Sequence, residues 1–264
     1  MIYCHIEKNA GTTMHYILNE NLPYYFALDS NPRYGNHRPF NEKTMQRLLN
    51  LFSPIQGIGG HTVSPHFDYQ AVLPGKEIYM FAFFREPVKR YLSQLNYQIE
   101  VMKENWTFET FLNNEQFSDL QTKKIAGTAD FEKAKSILTE KMSFAGLVEK
   151  FDEGLMIMKT QLGDDFDIRY KKKNSLTRNK QTYTLQGLSE IEIESIKSKN
   201  RNDIQLYQFL KEELYPKYIE LIGDKNELLF QQSDFQFRKT NIIRMKLKNQ
   251  LAKFLLQPFS LKGS

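Results

Sequence analysis

The stretch Glu77 to Phe84, EIYMFAFF, limits what this chain can fold into more than any other. A run so continuously apolar suits a strand buried on both faces, as in a parallel sheet with helices on each side. It ends in Arg85-Glu86-Pro87, after which Val88, Tyr91, Leu92, Leu95, Ile99 and Met102 repeat at helical spacing. Pro87 suits the first helical turn, where its missing N–H costs nothing. Strand, short turn and helix together are the unit of an α/β fold.

The start of the chain repeats that unit. Ile2 to Ile6 is a short apolar run, and Glu7-Lys8-Asn9-Ala10-Gly11-Thr12-Thr13 breaks it into a turn. Met14, Ile17, Leu18 and Leu22 then share one side of a helix. A loop of this kind aims main-chain N–H groups at one point, and the helix N-terminus adds partial positive charge. Lys8 supplies a full charge and the two threonines supply hydroxyls, so the expected ligand is phosphate or sulfate. A Walker loop would read GxxxxGK[ST]. Here Lys8 instead precedes Gly11, the one glycine of the loop, so magnesium is not indicated.

Further along, Pro23 to Phe40 carries few helix or strand signals and holds Tyr24, Tyr25, Tyr34, His37 and Arg38. It reads either as a plain connection or as a binding loop, with His37 and Arg38 as candidate acceptor contacts. Asn41 to Leu51 reads as a helix, and Ile55 to Gly60 as a strand ending in Gly59-Gly60-His61. Two glycines before a histidine suggest a backbone packed close to something. Ligands of open α/β sheets bind beyond the carboxyl ends of strands, which makes His61 a candidate base. His66, a few residues on, is a candidate acceptor contact. Arg85 stands at the end of the buried strand and Ser93 about two turns into its helix, a candidate anion clamp.

Phe108–Asn113, Phe117–Ile125 and Phe131–Lys141 read as short helices, Ser143 to Val148 as a strand, Glu149 to Leu162 as a helix and Asp167 to Tyr170 as a short strand. A basic segment around Lys172, Asn174 and Ser175 reads as a solvated loop or as a cover over an anionic ligand. Ser189, with Glu192 three residues later, marks a helix start. Asn202 to Ile222 reads as a helix kinked or divided by Pro216. From Phe235 the chain has no acidic residue and seven Lys or Arg among apolar ones. That suits a docked helix or, as the lesser alternative, a contact with a membrane surface.

The 264 residues carry a net charge of +5, which suits anionic ligands without pointing to nucleic acid. The single cysteine, Cys4, excludes an internal disulfide framework and a Cys-rich zinc site, and its place in the first strand suits a buried thiol. No signal peptide or membrane-spanning run is visible, so the expected location is cytoplasmic. The expected organisation is one domain over 1–264, with a basic helical extension at about 235–264.

The motifs resemble those of the sulfotransferase superfamily, in its carbohydrate (heparan sulfate 2-O-like) branch and bacterial relatives. HIEKNAGTT at 5–13 is similar to that family's HIPKTGGTS-type 5′-phosphosulfate loop. FREPVKRYLSQ at 84–94 resembles its R-x-P-x-x-R-x-x-S 3′-phosphate motif. GGH at 59–61, AGLVEKFDEGL at 145–155 and NDIQLY at 202–207 resemble weaker signatures. Glu7 departs from the family's usual proline, and its charge beside an anion site requires the side chain to point away.

The resemblance implies a P-loop-like three-layer α/β fold and sulfuryl transfer from 3′-phosphoadenosine 5′-phosphosulfate (PAPS) to a hydroxyl of a glycan or related acceptor. PAP is the product and no metal is required. His61 is then the base and Lys8 stabilises the leaving phosphate. Lys8, Asn9, Ala10, Gly11, Thr12 and Thr13 cradle the donor, Arg85 and Ser93 hold its 3′-phosphate, and Lys172, Asn174 and Ser175 match the late covering loop. Two other readings stand beside it. A binder of anionic polysaccharide or membrane would show no turnover. A P-loop kinase is disfavoured because the buried strand ends in Arg85 rather than an acidic residue.

Overall fold

A computed structural model describes residues 1–28, 41–52, 54–170 and 182–221, with Leu247 and Gln250. His37, Arg38, Lys172, Asn174, Ser175 and nearly all of the basic extension lie outside the described residues.

Five parallel strands form one sheet in the order β2-β3-β1-β4-β5: β1 Ile2–Cys4, β2 Tyr25–Ala27, β3 Gly57–Gly60, β4 Met80–Phe84 and β5 Phe144–Leu147. Helices flank it, and every strand residue is buried, as expected of a parallel sheet covered on both faces. The register sets Ile2 between Ile58 and Met80, and Phe81 beside Phe144. Strands β3, β1 and β4 are thus neighbours, and their carboxyl ends open onto one rim.

The helix α1 spans Gly11–Asn21, α2 Glu42–Leu51 and α3 Pro87–Glu100. After these come α4 Phe108–Leu112, α5 Leu120–Ala126, α6 Phe131–Glu140 and α7 Phe151–Leu162. The last three are α8 Glu190–Lys199, α9 Arg201–Phe209 and α10 Tyr215–Glu220. The start of α3 has a local cause: the Glu86 carboxylate accepts from the N–H groups of Val88 and Lys89, with Pro87 in the first turn. Ser189 and Glu192 form the expected capping box at α8. No described helix is long and apolar enough to cross a membrane.

Three sequence expectations change. The stretch Pro23 to Phe40 is not wholly irregular: Tyr25–Ala27 forms the edge strand β2, paired with β3. Three residues are too few to show alternation, and pairing rather than pattern makes them a strand. Asp167 to Tyr170 is not a strand, because side chains occupy its main-chain groups. Asp167 N donates to Asn21 Oδ1 and Arg169 N to Asp167 Oδ1. The helix expected from Asn202 to Ile222 begins at Arg201 and is divided by a π-helical turn at Leu210–Leu214, just before Pro216. The proline ring crowds the carbonyl of Glu212 and offers it no N–H, and a widened turn relieves both.

Beneath the sheet's carboxyl rim lies a buried ion pair. Arg90 on α3 and Asp203 on α9 are both fully buried, with Arg90 Nε 4.0 Å from Asp203 Oδ2. Arg90 also donates to the Phe117 carbonyl. Burial pushes the Asp203 carboxyl up, which Arg90 opposes, and pushes the Arg90 guanidinium down. Asp203 accepts from Gln121 N, Thr122 N and Thr122 Oγ1, so it caps α5 from a distant helix.

Candidate active site

The loop between β1 and α1 is held in an uncommon main-chain shape. Lys8 (φ 68) and Ala10 (φ 60) both lie in the left-handed region. Such residues persist where the surroundings dictate them, and here Asn9 is the bolt. It is fully buried, and its Nδ2 donates to the Phe83 carbonyl at 2.8 Å and to Gln121 Oε1 at 2.7 Å. Left-handed residues on either side of Asn9 curl the chain in the way that makes anion-binding concavities. The start of α1 has no side-chain cap and no acidic residue in its first turn. The first N–H groups of a helix lack partners within it, and with the helix dipole they favour an anion.

Gly11 is required by what lies behind the loop. A Cβ there would stand 1.6 Å from His5 Nε2, inside the ring. His5 is buried between β1 and the first turn of α1, and its Nδ1 lies 3.1 Å from His15 Nε2. His15 Nδ1 lies 2.6 Å from the Tyr25 hydroxyl.

Two cations face the loop. Lys8 Nζ lies 4.1 Å from the centroid of the Tyr97 ring. Among the described residues no carboxylate pairs with it. Burial, with Arg85 nearby, pulls the Lys8 ammonium down to about 8. Arg85 donates through Nη1 to the Lys8 carbonyl at 3.2 Å. Burial lowers the Arg85 guanidinium, while Glu149 and Glu86 oppose that shift. Gln121 fastens both pieces: its Oε1 accepts from Asn9 and from Arg85 N, and its Nε2 donates to Arg85 O. Ser93 is half-buried on α3, one turn from Tyr97 and on the same face.

His61 reaches this rim through sheet register. Cys4 pairs with Gly60, so the next residues, His5 and His61, stand side by side with ring centroids 3.9 Å apart. Gly59 leaves room for the Tyr25 hydroxyl, from which a Cβ would lie 2.2 Å. His61 Nδ1 lies 3.3 Å from the His5 carbonyl oxygen and 3.6 Å from Glu7 Oε1. Burial opposes a charge on Glu7, but His61 and Lys124 outweigh it and hold the carboxyl below its usual range. Its charge is turned toward these partners.

Lys8, Ala10, Gly11, His61 and Arg85 thus follow the carboxyl ends of adjacent strands, and Ser93 lies on the helix after β4. Asn9 turns its side chain inward and offers a ligand only its main chain. Thr12 is exposed and Thr13 half-exposed at the helix start. His66 is exposed; it hydrogen-bonds Ser64 and packs near Gly127, and burial and neighbouring lysines lower its imidazolium. Cys4 is buried, as expected, and burial raises its thiol to about 12. Sequence reasoning gave no role to Gln121, Asp203, Tyr97 or His5. Asp203 and His5 had a signal, their places in NDIQLY and HIEKNAGTT. No group of His, Cys, Asp and Glu suited to a metal occurs among the described residues.

The start of α1, Lys8 and Arg85 make this end of the sheet suited to an anion. No curated protein matches the chain. The sequence model of the sulfotransferase family matches residues 1–210, a span that includes all five strands and the capping Asp203. With most of its length matched and its anion loop at the head of a parallel sheet, this chain belongs to the sulfotransferase family.

Proposed function

We propose that the chain transfers the sulfuryl group of PAPS to a hydroxyl of a glycan or related acceptor, through one domain with a basic C-terminal extension. One observation carries the reading: Lys8, His61 and Arg85 lie at the carboxyl ends of the adjacent strands β1, β3 and β4. PAPS supplies an electrophilic sulfur on a phosphate leaving group. His61 takes the acceptor proton as the oxygen–sulfur bond forms, because a sugar hydroxyl is a poor nucleophile at neutral pH. The bond from sulfur to phosphate oxygen breaks, and its electron pair stays on that oxygen. Lys8 and the N–H groups at the start of α1 meet the charge that develops there. Arg85 and Ser93 bind the 3′-phosphate, which separates this donor from adenosine phosphosulfate. The positive charge of the chain favours an acidic glycan. His37, Arg38 and His66 are acceptor contacts in this reading, and Lys172, Asn174 and Ser175 cover the donor.

The test is calorimetric titration with PAP, ATP and GTP, followed by transfer from labelled PAPS to a glycan panel. PAP is expected to bind in preference to both triphosphates. His61→Ala is expected to keep PAP binding and lose roughly 10²-fold or more in turnover, the share a positioned base contributes. Equal affinity for ATP, or full turnover without His61, rejects the assignment.

A further inference from the structure

We propose that Glu7 is a positioning residue for His61: it holds the imidazole as the Nδ1–H tautomer, so that Nε2 receives the acceptor proton. The proposal rests on His61 being the base. Two acceptors converge on Nδ1, the His5 carbonyl oxygen at 3.3 Å and Glu7 Oε1 at 3.6 Å. A neutral imidazole carries one proton, and acceptors at one nitrogen favour the proton there. Ring geometry then places Nε2, the nitrogen with the lone pair, on the opposite edge.

The ring plane is fixed as well. His5 lies against it, 30° from parallel with centroids 3.9 Å apart. His5 is itself braced by His15, and His15 by Tyr25, so β1, α1 and β2 all contribute to the orientation of one side chain. Among the described residues, Glu7, the His5 ring and Lys124 face His61, Lys124 through an Nζ that donates to the His61 carbonyl. Glu7 is the one anion among them. Burial opposes its charge, while Lys124, its own main-chain N–H and an imidazolium at His61 favour it, so the proton that His61 gains and the Glu7 charge support each other. When the acceptor O–H breaks and its proton reaches Nε2, the new imidazolium sits beside that carboxylate and is stabilised by it. A residue in the donor loop thereby serves the acceptor side of the reaction.

The experiment records nitrogen-15 NMR of the His61 ring, PAP affinity and turnover in wild type, Glu7→Ala and Glu7→Asp, all in the full chain. Wild type is expected to show the Nδ1–H form. Glu7→Ala is expected to populate the Nε2–H form and to lower kcat by about tenfold, part of what general-base catalysis supplies. PAP affinity and donor KM stay at wild-type values, and Glu7→Asp recovers both tautomer and rate in part. An unchanged tautomer in Glu7→Ala overturns the pairing, and a loss of kcat matched by a loss of PAP affinity makes Glu7 a donor-loop residue instead. Full turnover in His61→Ala overturns the base assignment and the catalytic part of this proposal with it. The ring spectrum tells these failures apart.

Discussion

The Arg85 guanidinium donates to the main-chain oxygen of Lys8 at 3.2 Å, which ties the residue after β4 to the loop after β1 and keeps two cations near one another. Like charges so placed repel, and their proximity contributes to the lowered ammonium of Lys8. Two cations kept near one another suit an anionic ligand. The arrangement also couples loop shape to ligand binding, because the carbonyl that Arg85 holds belongs to a residue at positive φ.

Arg85→Ala is therefore expected to weaken PAP binding and raise the donor KM. A charge-assisted hydrogen bond contributes about 1.5–3 kcal/mol, or roughly ten- to hundredfold in affinity. Arg85→Lys keeps the charge but loses the planar fork, and is expected to recover only part of the loss. Titration of both variants with PAP checks this. Unchanged affinity in Arg85→Ala removes the clamp.

Donor affinity is expected to depend on pH through Lys8. Its ammonium titrates near 8 in the unliganded protein because burial and Arg85 disfavour the charge. A bound anion favours the charged form and raises that value. Below pH 8 the lysine is already protonated and affinity is flat. Above it, binding must take up a proton, and affinity falls by up to about tenfold per pH unit. Lys8→Arg, charged throughout, is expected to abolish the slope. PAP titrations between pH 6 and pH 10 read it directly, and a flat wild-type profile contradicts the assignment.

Asp203→Ala is expected to destabilise the fold by about 3–5 kcal/mol, the usual cost of leaving a buried charge without its partner. Arg90 Nε and Nη1 have no hydrogen-bond partner among the described residues, so the nearby carboxylate is their compensation. The same substitution uncaps the start of α5 and loosens Gln121, which fastens Asn9 and Arg85. Urea unfolding measures the first effect. PAP affinity, measured where the variant is folded, measures the second.

Gly11→Ala is expected to cost about 1–3 kcal/mol, as an overpacked side chain does in a dense interior. The added methyl collides with the His5 ring, which cannot yield without disturbing His15 and His61. Lower thermal stability together with reduced turnover is the expected pair of readings. An unaltered melting temperature shows that the ring has room to move.

Much of this site was legible from residue order. Lys8, Gly11, His61 and Arg85 each follow a strand signal, and a parallel sheet collects residues at its carboxyl edge. Asn9 was legible as a loop residue but not as a bolt, because its partners Phe83 and Gln121 are remote in sequence. Gln121 lies in a short helix with no pattern of its own. β2 escaped notice because an edge strand of three residues is defined by its neighbour. The strand expected at Asp167 to Tyr170 failed for the opposite reason, since Asn21 and Asp167 took the hydrogen bonds that a sheet would have used.

By itself the sequence determined the class of sheet, the anion loop and the order in which its functional residues arrive. Those follow from local physics: continuous apolar runs, a cap at Glu86, a glycine where no side chain fits. Only the tertiary structure decided which groups touch. The register of Cys4 against Gly60 brings His5 beside His61, and from there Glu7 turns its charge toward the imidazole. Register and burial are set jointly by strands far apart in the chain, so no single segment encodes that meeting.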